Sequence, residues 1–170
     1  LEKGKYLLIP VSVNSGQAYT EHQFIIGSKL IQPYYIGYWS MLSYYGYTEQ
    51  LPNMVFIASP KRKRRATLAG ISYRFVRISK HKMFGLTEIV IGNAAVMVSD
   101  REKTIVDCLD RPALCGGIIE AIKGIWNGRE EFDFNRMITY TGKIRNSAVA
   151  KRLGFVMETL GVGRKKESMN

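Results

Sequence analysis

Apolar positions recur along this chain with two different periods, and the period changes about half-way. Tyr6-Leu7-Leu8-Ile9-Pro10-Val11 is a short apolar run after a glycine-bearing turn and predicts a strand, with Pro10 placing it at an edge or an end. Residues 14–28 are polar and contain glycine, which predicts a loop. From Pro33 to Gly46 the spacing of Tyr35, Trp39, Leu42 and Tyr45 predicts a helix, opened by the proline and stopped by the glycine. Met54 to Ala58 is a β-rich buried run. Ile71, Tyr73 and Phe75 alternate with Ser72, Arg74 and Val76, a strand signal that continues to Ile78. Glu88 to Ile91 and Ala94 to Val98 flank Gly92-Asn93 and predict a hairpin with a two-residue turn, although Asn-Gly is the commoner order.

Helical spacing then takes over. Ser99-Asp100-Arg101-Glu102 has the form of a capping box and predicts a helix to about Leu109. Arg111-Pro112 breaks it. Leu114 to Trp126, Asp133 to Thr141 and Ser147 to Leu160 give three more helical patterns. In the last, Val149, Leu153, Val156 and Leu160 share one face before Gly161. Strands with one early helix, followed by a run of helices, predict an α+β fold: a small, mainly antiparallel sheet and a helical C-terminal half.

Length and charge sharpen this picture. At 170 residues the chain can bury a core without disulfides or metals. No apolar run approaches the span a membrane helix needs. Cys108 and Cys115 make no disulfide framework, which favours a reducing, cytoplasmic setting. With His22 and His81 they show no zinc-ligand spacing, so neither a metal site nor a cofactor is expected. The net charge is +11, and residues 1–85 carry 12 basic side chains against 3 acidic ones. Nine Lys/Arg and no acid lie between Lys61 and Lys82, a local field that attracts polyanions.

The densest point of that field is Lys61-Arg62-Lys63-Arg64-Arg65, placed between two strands in a loop or hairpin tip. Five adjacent cations repel one another and do not help folding. They suit phosphate contacts, which position a protein on nucleic acid without reading its sequence. A solvated basic loop, or a patch for an acidic protein partner, is the alternative. Lys29, Arg74, Arg77, Lys80 and Lys82 are available to extend the patch. The aromatics Tyr34, Tyr35, Tyr38, Trp39, Tyr44, Tyr45 and Tyr47 could stack on bases, but their helical spacing favours core packing. Asp107 with Glu120 and Lys123 raises a metal-dependent nuclease. Three-residue spacing on a helix makes an ordinary Glu120–Lys123 ion pair the simpler reading. No base is readable beside Cys108, which suits a buried thiol.

Three blocks together resemble one family. Residues Pro33 to Gln50 (PYYIGYWSMLSYYGYTEQ), Arg101 to Pro112 followed by Cys115-Gly116-Gly117, and Ala148 to Gly154 (AVAKRLG) are similar in type and order to the AbiE antitoxins of type IV toxin–antitoxin systems. These are transcriptional regulators of viral defence in bacteria and archaea. The resemblance spans about residues 33–160. It implies a C-terminal antitoxin domain over residues 14–163, preceded by the end of a wing strand or linker (1–13) and followed by a charged tail (164–170). It further implies an upstream winged helix-turn-helix that reads promoter DNA. The implied role is to repress the toxin–antitoxin operon and counter a nucleotidyltransferase-like toxin without catalysis, so no catalytic residue is carried over. In that setting Lys61–Arg65 would add sequence-independent DNA contacts.

Overall fold

The computed structural model describes residues 22–163. The expected strand at Tyr6–Val11, the 1–13 segment and the 164–170 tail lie outside the described residues. In chain order the elements are α1 (Gln23–Ser28), β1 (Tyr35–Ile36), α2 (Trp39–Tyr44), β2 (Met54–Ser59), β3 (Ala66–Leu68), β4 (Ile71–Arg77), β5 (Leu86–Ile91), β6 (Ala94–Ser99), α3 (Arg101–Asp110), α4 (Ile118–Asn127), α5 (Phe134–Ile144) and α6 (Ser147–Leu160). Short 3-10 turns sit at Lys80–Lys82 and Pro112–Leu114.

The fold is α+β. Its six strands form one sheet in the order β3-β4-β2-β1-β6-β5. The sheet is mixed: β3–β4, β1–β2 and β5–β6 pair antiparallel, whereas β2–β4 and β1–β6 pair parallel. Both faces are covered, as strand alternation requires. Tyr35, Phe56, Ala58 and Val76 face a helical layer that contributes Ile105, Leu109, Ile125, Met137 and Leu153. Ile36, Val55, Ile57, Tyr73, Val96 and Val98 face Phe24 and Ile26 of α1, with Leu30 and Ile31.

Several local readings change. The helix expected over Pro33–Gly46 is a strand followed by a helix, because Tyr35 and Ile36 pair with β2 and β6 before α2 starts at Trp39. The loop expected over 14–28 contains α1, capped by the His22 side chain, which accepts from the Phe24 amide (3.2 Å). There are thus two early helices, not one. At α3 the cap is Asp100, which accepts from the Lys103 amide (2.7 Å) and from the Tyr140 hydroxyl (2.8 Å). Glu102 does not close a box on Ser99. Its carboxylate accepts from the Asp133 amide (2.9 Å) and so ties the first turn of α3 to the start of α5. The β5–β6 turn explains its residue order: Gly92 has φ 58° and Asn93 is not at positive φ, the type II′ geometry that wants glycine first. α6 runs from Ser147 to Leu160 as expected, with Val149, Leu153 and Val156 buried.

Two aromatic rings close over Gly128 at the C-terminal end of α4. A Cβ there would lie 2.5 Å from the Phe132 ring and 2.7 Å from that of Tyr47. Gly128→Ala is therefore expected to cost about 1–3 kcal/mol through overpacking. A thermal melt followed by circular dichroism reads this as a lower midpoint.

Asp110 fastens the C-terminal end of α3. Lys82 pairs with its carboxylate, and the Asn146 amide donates to it (2.9 Å). Burial alone would raise this carboxyl, but the Lys82 and Asn146 hydrogen bonds hold it below its ordinary 3.8. A depressed carboxyl stabilises the fold above its unfolded pKa, and that stability disappears as pH falls through the folded value. Urea melts from about pH 5 down to about pH 3 should therefore show a shallower acid loss in Asp110→Asn than in the parent.

Candidate nucleic-acid interface

The Lys61–Arg65 run occupies the connection between β2 and β3. It is not the tip of a hairpin between neighbours. β4 lies between β2 and β3 in the sheet and runs parallel to β2, with Ser59 opposite Arg77. The connection must therefore pass across the end of β4 to reach the sheet edge, which carries its cations over Phe75 and Arg77. A local hairpin would not have brought these residues together.

Its entry is fixed by backbone chemistry. The Ser59 hydroxyl donates to the Pro33 carbonyl (2.7 Å) and accepts from the Lys61 amide (3.1 Å), while the Ile78 amide donates to the Ser59 carbonyl (3.0 Å). Within the run, Lys63 is the half-buried member. Its ammonium donates to the Leu30 carbonyl (2.7 Å) and lies 5.6 Å from the Phe75 ring centre. Lys61, Arg62, Arg64 and Arg65 are exposed. Arg62, Lys63, Arg64, Phe75 and Arg77 line a concavity of about 340 Å³.

The extension residues divide. Arg77 lines the concavity and so joins the patch, whereas Lys29 is not among the lining residues. Arg74 points to the other face of the sheet, with its guanidinium 5.8 Å from the Phe56 ring centre. Arg65 turns the same way and meets the Met54 sulfur (3.9 Å). Lys82 is committed to Asp110. Among the described residues, no carboxylate forms an ion pair with Lys61, Arg62, Arg64, Arg65 or Arg77. Their charges are offered outward.

The other sequence candidates are drawn inward or apart. Asp107 is 1% exposed and bonds to Lys103 and to the Tyr35 hydroxyl (2.8 Å). Burial raises its carboxyl, and raises the Tyr35 phenol well above its ordinary value. Glu120 accepts from Lys123 (3.0 Å) and Thr48 (2.9 Å), and these bonds hold its carboxyl below the usual range. Among the described residues, no group of three or more His, Cys, Asp or Glu is placed to hold a metal ion. Cys108 and Cys115 are free and buried, and burial pushes the Cys115 thiol up. Tyr34, Tyr35, Tyr38 and Tyr47 are core residues, whereas Tyr44 is 48% exposed. Among the described residues, no helix is long and apolar enough to cross a membrane.

Set against known proteins, the chain matches no family model and no curated protein.

Sequence reasoning missed two features here. Phe75 as the floor of the basic concavity depends on the β2–β4 register, which no local pattern encodes. The buried Lys103–Asp107 pair has the i,i+4 spacing of any surface ion pair, and only tertiary packing distinguishes it.

Proposed function

We propose that this chain is a DNA-associated regulatory domain of the AbiE antitoxin type, in which the Lys61–Arg65 loop and Arg77 grip the phosphate backbone. The reading extends to repression of a toxin–antitoxin operon, with sequence read by a winged helix-turn-helix, and to countering a nucleotidyltransferase-like toxin. The observation that carries the phosphate-binding part is the exposed set Lys61, Arg62, Arg64, Arg65 and Arg77, with which no carboxylate among the described residues forms an ion pair. Anchored cations lose less freedom on binding than cations on a floppy tail, so more of the counterion-release free energy remains as affinity. The aromatic ring in the concavity, Phe75, is half-buried and lies beneath the Lys63 ammonium, and the large exposed apolar side chains among the described residues, such as Tyr44, Trp126 and Phe155, are not among the lining residues. Cations without an exposed aromatic platform favour backbone tracking on a duplex over base stacking on a single strand.

The test is fluorescence anisotropy with a labelled random-sequence duplex at rising salt. The expected result is an affinity that falls steeply and linearly in log–log form. Affinity indifferent to salt would sink the proposal. Recovery of an acidic protein from nuclease-treated host extract, with no duplex binding, would replace DNA by a protein partner.

A further inference from the structure

The sheet has two free edges among the described residues, and they are unlike. One is β3, three residues long, entered through Arg64-Arg65 and left through the Ala69-Gly70 turn. Its brevity and its flanking cations are the usual protections against another strand. The other is β5, Leu86-Thr87-Glu88-Ile89-Val90-Ile91, six residues with no proline and no lysine. Val90 is 75% exposed. No described strand pairs with the outer side of β5.

The two-residue turn sets which backbone groups face outward. It makes Ile91–Ala94 the closing pair of the hairpin, so Ile91, Ile89 and Thr87 bond toward β6. The amides and carbonyls of Leu86, Glu88 and Val90 then point away from β6, toward any added strand.

Charge selects the occupant. Residues 86–99, the whole β5–β6 hairpin, contain no Lys or Arg and one acid, Glu88, in a chain of net charge +11. The basic cluster lies toward the opposite edge, across the end of β4, four strand spacings or about 19 Å from β5. That is more than about two screening lengths at physiological salt. This edge is therefore where two copies of a strongly basic chain meet with least repulsion.

Register supports the same occupant. An antiparallel β5–β5 pair centred on Glu88 sets two acids opposite each other, which is unfavourable. Centring on Ile89 sets Glu88 against Val90 and Thr87 against Ile91, and leaves no like charges opposed.

We propose that the outer edge of β5 is a self-association site, where a second copy of this chain adds its own β5 antiparallel about a two-fold axis at Ile89. The product is one continuous sheet with a basic loop toward each end. The contact is isologous, so it closes as a dimer and does not propagate. It requires no nucleic acid and does not rest on the function proposed above.

Sedimentation equilibrium of the 170-residue chain over a wide concentration range, at about 0.15 M salt, tests it. The expected result is a rise from 19.3 kDa to twice that mass as concentration increases. Val90→Pro removes one outward amide while sparing the bonds to β6, and should hold the chain at the monomer mass. Val90→Glu should do the same by setting an acid opposite the Glu88 of the second copy at both ends of the pairing, and it decides the matter if the proline variant does not fold. A parent that stays monomeric throughout, or a folded Val90→Glu that still dimerises, overturns the proposal.

Discussion

Replacing Lys61, Arg62, Lys63, Arg64 and Arg65 together with Ser and Ala is expected to weaken binding to a random duplex by about 100-fold at low salt. It should also flatten the slope of log affinity against log salt by about three to four. The magnitude follows from counterion release, in which each neutralised phosphate contributes about 0.9 to the slope. Five cations set an upper value of about 4.5. Lys63 already serves the Leu30 carbonyl and Arg65 leans on Met54, so fewer than five face the ligand fully. Arg77→Ala alone should reduce the slope by about one, since its guanidinium lines the same concavity. The loop variant should melt near the parent temperature, because four of the five side chains are exposed and their mutual repulsion is removed. Unchanged affinity in a folded loop variant would show that the phosphate contacts lie elsewhere in the chain.

The largest stability effect is expected at Lys103. Its ammonium is fully buried, pairs with Asp107, donates to the Tyr35 hydroxyl (3.0 Å) and lies 5.0 Å from the Tyr35 and Phe84 ring centres. Lys103→Ala leaves Asp107 buried without its cation, a change of the kind that costs about 3–5 kcal/mol. At about 2–4 °C per kcal/mol for a domain near this size, the melting midpoint should drop by about 6–20 °C. The triple replacement Tyr35→Phe, Lys103→Met, Asp107→Leu removes both charges together with the Tyr35 hydroxyl and should recover most of that loss. Calorimetry of the single and triple variants separates the two cases. A triple variant no more stable than Lys103→Ala would mean that the network contributes more than packing can replace.

How much of this was legible beforehand depended on whether the signal was local. The last helix, the β5–β6 hairpin and the β2 and β4 strands announced themselves, because each is specified by its own periodicity and turn residues. The start of the domain misled for a physical reason. Tyr35, Trp39, Leu42 and Tyr45 fall at helical spacing, yet Tyr35 serves a strand and the rest a helix or its end, folded so tightly that a Cβ on Gly37 would sit 2.8 Å from the Tyr35 ring. The basic run was legible as a dense positive field from charge alone. Its division was not: Arg77 joins it and Arg74 does not, a consequence of parallel β2–β4 pairing. Glu102 looked like half of a capping box and is instead a link to α5, because a partner distant in sequence competes for the same carboxylate.

One strand carries the continuity of the whole sheet. β1 is two residues long, and among the described residues it is the strand through which β3-β4-β2 joins β6-β5. Mechanically, the sheet is two panels sewn along a short seam, where Tyr35 meets Ala58 and Ile36 meets both Ile57 and Val98. Tension drawn across the strands gathers at those few stitches before it strains the longer ladders on either side. The phenol of Tyr35, bolted to Asp107 and Lys103 beneath, is the rivet that resists the tear.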